Sequence, residues 1–95
     1  MEILEHRSYT DWLGGIKDKK LIAIIAKRLV RVQFGNFGDS KAIGDGVSEL
    51  RIDYGPGYRI YYAMRGRKIV ILLCAGDKSD QKKDIRKAKE LNKEV

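Results

Sequence analysis

VSELRIDYGPGYRIYYAMRGRKIVILLCAG, residues 47–76, is the stretch on which the fold turns. Leu50, Ile52 and Tyr54 alternate with Glu49, Arg51 and Asp53, the period of two that marks a strand with one buried face. After a Gly55-Pro56-Gly57 turn, Tyr58, Ile60, Tyr62 and Met64 alternate with Arg59, Tyr61 and Ala63. Arg65-Gly66 reads as a tight turn into IVILLCAG, which is apolar on both faces and therefore suits a strand covered on both sides. The three strands make an antiparallel meander.

A register follows from the turns. With Asp53 opposite Arg59, Arg51 falls opposite Tyr61; with a two-residue Arg65-Gly66 turn, Met64 faces Arg67 and Tyr61 faces Val70. One side then gathers Leu50, Ile52, Tyr58, Ile60, Tyr62, Ile69, Ile71 and Leu73. The other gathers Arg51, Asp53, Arg59, Tyr61 and Lys68 over Val70, Leu72 and Cys74. A bulge at Gly66 would move the third strand by one residue and invert its parity.

Upstream, residues 2–6 alternate weakly as a short strand, and Ser8 with Asp11 suggests the capped start of a brief helix that Gly14-Gly15 stops. Asp18 caps a stronger helix over 19–34, where Leu21, Ile22, Ile25, Leu29 and Val32 recur at helical spacing and Lys20, Lys27, Arg28 and Arg31 fall mostly off that stripe. Residues 35–46 hold four glycines and read as a loop; they lack the GxxxxGK[ST] spacing and follow a helix, so they do not form a phosphate-binding loop. A last helix over 80–93, capped by Ser79 or Asp80, has a thin apolar face of Ile85, Ala88 and Leu91, which predicts loose docking.

Ninety-five residues make a single domain, 1–95, with an apolar fraction of 43% that supports a folded core. Twenty Lys and Arg against thirteen Asp and Glu leave a net charge of +7, an excess suited to polyanionic partners. One cysteine excludes an internal disulfide, no apolar run reaches the ~20 residues that span a bilayer, and the acidic start MEILEH is unlike a signal peptide. A cytoplasmic protein with no membrane partner is the expectation.

Metal chemistry has little support, since one histidine and one cysteine cannot assemble the usual zinc sets, and neither a metal nor another cofactor is expected. Cys74 in an apolar strand suits an inert thiol. What remains is a cationic, aromatic sheet face. Arg51 and Arg59 can clamp phosphate bidentately, Tyr61 can stack a base, and Lys78 sits where a helix N-terminus favours anions. The alternative is an Asp53–Arg59 ion pair on a solvated surface.

GNFGD, GVSELRIDYGPGYRIYY and IVILLCAGDKSDQKKDI, with the helical hairpin before them, resemble toxins of the RelE/ParE superfamily, nearest its HigB-like or addiction-module-killer branch. The resemblance implies an α+β fold, with a helical hairpin packed on a twisted, mainly antiparallel sheet and a C-terminal helix. It implies a metal-independent endoribonuclease that cuts mRNA on the ribosome, held in a hetero-oligomer by a cognate helix-turn-helix antitoxin. By position it assigns catalysis to Arg59, Arg51 and Lys78, with Asp77 matching an acidic residue of the HigB-like members. Lys68, Lys82, Lys83 and Arg86 complete the expected RNA-binding surface. Asp53 stands where many relatives carry lysine and the terminal catalytic tyrosine is missing, which leaves Tyr61, Asp77 and Lys78 as alternatives for the general base. A gyrase inhibitor on the same fold, or a non-catalytic binding remnant, are the competing readings.

Overall fold

The computed structural model describes Met1–Val95. In chain order the elements are β1 (Glu2–Glu5), α1 (Arg7–Gly14), α2 (Lys19–Gln33), β2 (Ser40–Gly44), β3 (Val47–Ile52), β4 (Tyr58–Arg65), β5 (Ile69–Asp77), a 3-10 turn (Lys78–Asp80) and α3 (Gln81–Glu94). The five strands form one mixed sheet in the order β1-β5-β4-β3-β2, with β1 parallel to β5 and every other pair antiparallel. The expected α+β architecture, with a helical pair on the sheet and a C-terminal helix, is what the chain adopts.

Two cores divide it. Leu21, Ile25 and Val32 of α2 and Tyr9 of α1 pack on Leu50, Ile52, Ile60, Tyr62, Val70 and Leu72. On the opposite face Ala88 of α3 packs on Val47, Tyr61, Ala63, Ile71, Leu73 and Cys74. Strand β5 thus lies between β1 and β4 with apolar cover on both sides, as its unbroken hydrophobicity requires.

Several local expectations change. The α1 cap is His6, whose Nδ1 accepts from the Ser8 N–H at 3.0 Å, so Ser8 and Asp11 do not form the capping pair. Asp18 does cap α2, with Oδ1 accepting from the Lys20 and Leu21 N–H groups at 3.0 and 3.3 Å. Within 35–46 lies an edge strand, β2, paired to β3 across a bulge between Ala42 and Gly44. Only Ile43 among its apolar side chains is partly packed, so backbone pairing with β3 makes it a strand. Its turn holds Asp45 and Gly46 at φ 56° and 77°, the conformation that an Asp-Gly pair favours in a two-residue hairpin.

The meander register moves by two residues at the first turn: Arg51 pairs with Arg59, and Glu49 with Tyr61. The cause is a turn over 54–57, closed by the Gly57 N–H to the Tyr54 carbonyl at 3.0 Å, with Gly55 at φ 57°. An even shift preserves parity, so Arg51, Arg59 and Tyr61 still share a face. At the second turn Arg65 pairs with Ile69 around three residues, and the parity of β5 inverts: Val70 and Leu72 join the α1/α2 core, Ile71 and Leu73 the α3 core. A register shift at Tyr61/Tyr62 then returns Cys74 to the α3 side beside Leu73.

Helix α3 buries Ala88 and partly buries Ile85 and Leu91, the face its spacing predicts, but it is pinned and not loose. Arg65 Nη2 donates to Asn92 Oδ1 at 2.9 Å and to the Val95 carbonyl at 3.1 Å, while Asn92 Nδ2 donates to the Asp45 carbonyl at 3.0 Å. Lys89 Nζ lies 3.5 Å from Asp45 Oδ2. The deficit of apolar contact is offset by polar ties to the β2–β3 turn. Near its other end Asp84 is pressed against Gly76, where a Cβ would collide with its carboxylate, and Asp84 Oδ2 is buried without a partner.

Burial, then the neighbouring Asp80, raise the Asp84 carboxyl above the ordinary aspartate range. A group protonated more readily in the fold than in the unfolded chain favours the fold at acid pH, and loses that contribution as pH rises through its raised pKa. Asp84→Asn should therefore melt higher than wild type at pH 7, with the difference shrinking as pH falls toward 4. Thermal unfolding from pH 4 to 8 checks this; a constant difference across the series would refute it.

Candidate active site

The cleft forms where β3 and β4 meet the turn between them and the start of the α3 segment. It encloses about 340 Å³ and is lined by Asp39, Arg51, Asp53, Arg59, Lys78 and the 55–57 turn. Lys78 is held there by its own backbone, whose N–H donates to the Gly57 carbonyl at 3.0 Å. Three of the expected catalytic residues, Arg51, Arg59 and Lys78, thus come together.

A residue outside the expected set organises them. Glu49 is fully buried, and its Oε2 lies 3.1 Å from Arg51 Nε and 2.8 Å from Arg59 Nε. The contact to Arg59 lies off the N–H axis, so it is an ion pair without a well-formed hydrogen bond. Burying a carboxylate is tolerable only when charge of opposite sign compensates it, and the two guanidiniums provide that compensation. In return Glu49 holds both forks on one side of the sheet. Alternation alone places Glu49 and Arg51 on one face, two residues apart, which is the signal that could have found it.

Asp39 Oδ1 lies 3.8 Å from Arg51 Nη1, and Asp53 also lines the cleft. Three cations therefore face three carboxylates, counting Glu49 behind the wall, and the cleft is close to neutral. With so little net local charge, what the cleft offers is directed guanidinium donors.

Arg28 is the second residue the pattern concealed. It lies on the buried face of α2 with Leu21, Ile25 and Val32, not off the stripe. It donates to the Phe37 carbonyl from Nε at 3.3 Å and from Nη2 at 2.9 Å, and to the Asp39 and Arg51 carbonyls at 2.6 Å each. One rigid fork thereby ties the loop carrying Asp39 to the strand carrying Arg51. Gly38, at φ 62°, lets the loop approach, since a Cβ there would stand 3.2 Å from Arg28 Nε.

Other expected residues fall elsewhere. Tyr61 is fully buried under α3, so it has no face open to a base. Its hydroxyl has no partner, and burial, then Glu49, raise its pKa well above the usual tyrosine value, which makes it a poor base. Tyr61→Phe should leave any nuclease activity unchanged and stabilise the fold by about 1 kcal/mol, because it deletes an unsatisfied buried hydroxyl. Loss of activity at unchanged stability would instead put the hydroxyl in the reaction.

Asp77 is committed to structure: its carboxylate accepts from the Ser79 N–H at 2.9 Å and from the Ser79 hydroxyl. Those bonds, the hydroxyl first, hold its carboxyl below the usual range. Lys68 lies beyond the far end of β5, a strand of nine residues that spans about 30 Å, because the inverted parity and longer turn remove it from the arginine face. Lys82, Lys83 and Arg86 are exposed and, with Lys78, line an adjoining concavity of about 430 Å³. Lys78 belongs to both hollows, so a basic path runs from the arginines along α3. The Cys74 thiol is buried and pushed up to about 11 by burial and Asp84, in keeping with an inert role.

Fold and cleft together define a class: a small α+β protein with a helical pair on one face of a mixed sheet and a guanidinium-lined cleft on the other. Residues 17–93 match the model of the phage-derived protein Gp49-like family (DUF891). The chain belongs to that family, a RelE/ParE-like toxin family of toxin–antitoxin systems. It is also similar to an uncharacterised protein of Haemophilus influenzae (strain ATCC 51907 / DSM 11121 / KW20 / Rd), with 50% identity over 88 residues that cover 93% of this chain and 89% of the relative. No helix is long and apolar enough to cross a membrane.

Proposed function

We propose that this chain is the toxin of a toxin–antitoxin pair, of the HigB-like kind, and that it cleaves mRNA on the ribosome. The observation that carries the reading is the Arg51–Glu49–Arg59 arrangement opening onto a cleft that Lys78 closes. In such a cleavage the ribose 2′-oxygen attacks the adjacent phosphorus and the bond to the 5′-oxygen breaks. The products are a 2′,3′-cyclic phosphate and a 5′-hydroxyl, with the 2′-OH proton going to a base and the leaving oxygen gaining one.

Negative charge grows on the non-bridging oxygens during attack. Arg59, its side chain 14% exposed and held beside Glu49, is preorganised to meet that charge. Arg51, 34% exposed, binds the same phosphate from the neighbouring strand, and Lys78 takes the next along the chain. The α3 cations Lys82, Lys83 and Arg86 continue the grip on the RNA backbone.

The reading is tested by inducing the chain and mapping mRNA ends. Growth should stop, and new 5′ ends should appear inside translated codons and vanish in untranslated transcripts. Arrest with intact mRNA and poisoned gyrase would replace this reading with gyrase inhibition.

A further inference from the structure

We propose that Asp53 is the general base of the cleavage, the carboxylate that takes the 2′-OH proton; this rests on the cleavage reading above. Transfer of that proton needs an acceptor inside the cleft, within hydrogen-bond reach of the ribose. Arg51, Arg59 and Lys78 offer donors only, and Ile52 and Pro56 bring no polar side chain. Asp39 and Asp53 are therefore the two lining side chains able to accept a proton. Tyr61 is sealed under α3, and Asp77 accepts from Ser79 outside the cleft wall.

Ion pairing separates the carboxylates. Glu49, behind the wall, lies 3.1 Å from Arg51 Nε and 2.8 Å from Arg59 Nε, so its charge is committed to holding those two forks. Asp39 Oδ1 lies 3.8 Å from Arg51 Nη1. Asp53 is exposed, and no ion pair engages it. A carboxylate held by a guanidinium must give up part of that bonding to accept a proton. Asp53 gives up nothing.

Position favours the same residue. Asp53 stands two residues beyond Arg51 and lines the same cleft, roughly 7 Å further along the chain. Ile52 pairs with Tyr58, so Asp53 comes next to the turn that carries Gly57. A Cβ at Gly57 would stand 4.0 Å from Arg59 Nη1 and 3.9 Å from the Lys78 stem, so both cations flank that corner. A phosphate held there by Arg59 brings its attacking ribose within reach of Asp53.

In the step, the 2′-oxygen bonds to phosphorus as its proton passes to the Asp53 carboxylate, and the bond from phosphorus to the 5′-oxygen breaks. The leaving oxygen takes a proton from water. The Asp53 acid then returns its own proton to the hydroxide so formed, and the carboxylate is regenerated.

The test follows single-turnover cleavage of mRNA on programmed ribosomes with the full chain. Asp53→Asn and Asp53→Ala should each slow the step about 100- to 1,000-fold at saturation. Affinity for mRNA carrying 2′-deoxyribose at the cut site should rise, because a negative charge has left a phosphate-binding cleft. The melting temperature should hold, since no ion pair is lost. Asp53→Glu should keep much of the rate. Formate should restore Asp53→Ala in proportion to its concentration, where chloride at equal ionic strength does not. A wild-type rate in Asp53→Asn overturns the proposal, and so does a loss confined to affinity. Formate rescue of Asp39→Ala in place of Asp53→Ala moves the role to Asp39 and overturns it too. If the unaltered chain leaves mRNA intact, the cleavage reading falls and the base falls with it; cleavage indifferent to Asp53 removes the base alone.

Discussion

Replacing Arg59 with alanine should lower mRNA cleavage by about two to three orders of magnitude and abolish growth arrest, the size of effect seen when a preorganised charge-stabilising donor is removed. Arg59 is the more enclosed of the two cleft arginines, and Arg51 shares its charge with Glu49 at 3.1 Å and Asp39 at 3.8 Å. Arg51→Ala should therefore cost less activity. Arg59→Lys keeps the charge and loses the planar fork, so intermediate activity is expected. The alanine substitution also strips Glu49 of one partner, which would lower stability by about 1–3 kcal/mol. Adding Glu49→Gln to Arg59→Ala should restore much of that stability and none of the activity. Cleavage mapping beside urea unfolding separates the two effects; full cleavage by Arg59→Ala would sink the assignment.

Arg28→Met should produce the largest loss of stability. The substitution keeps an apolar stem among Leu21, Ile25 and Val32 but removes the guanidinium donors to the Phe37, Asp39 and Arg51 carbonyls, leaving the Asp39 carbonyl only the Arg51 N–H at 2.9 Å. Stripping several part-buried carbonyls of a charged donor costs roughly 3 kcal/mol, against the 5–15 kcal/mol that holds a typical domain together. Lysine does not rescue it, because one ammonium cannot span carbonyls contributed by a loop and a strand. The urea midpoint should fall steeply, and activity at low temperature should fall too, since the loop carrying Asp39 is then held to β3 by the Arg51 N–H without the guanidinium fork. A loss below about 1 kcal/mol would mean that the loop holds itself, with Arg28 merely filling space.

The site was legible where alternation sufficed and obscure where a partner from another element decided. Arg51 and Arg59 follow from period-two patterning, and an even register shift left their shared face untouched. Lys78 follows from its place after the last strand. Glu49 was hidden because its burial depends on which residue stands opposite, and that depends on a turn centred one residue earlier than the glycines around Pro56 suggest. Tyr61 looked available because α3 was expected to dock loosely; the ties of Arg65 and Asn92 close that helix over it. Lys68 looked near because the turn at 66–68 was counted one residue short.

The meander at 47–76, its strand order and the shared face of Arg51 and Arg59 were determined by sequence alone, because hydrophobic period is a local property; the parity of β5, apolar on both faces, was not. The RelE/ParE-like character, which the Gp49-like family match over residues 17–93 bears out without singling out the HigB-like branch, was equally a matter of sequence. Tertiary structure decided the rest. It set Glu49 between two guanidiniums, turned Arg28 inward to join a loop to a strand, sealed Tyr61 beneath α3 and left Phe34 in the open. Each outcome depends on which distant group neutralises a buried charge or covers an apolar surface, and spacing along the chain carries no record of that.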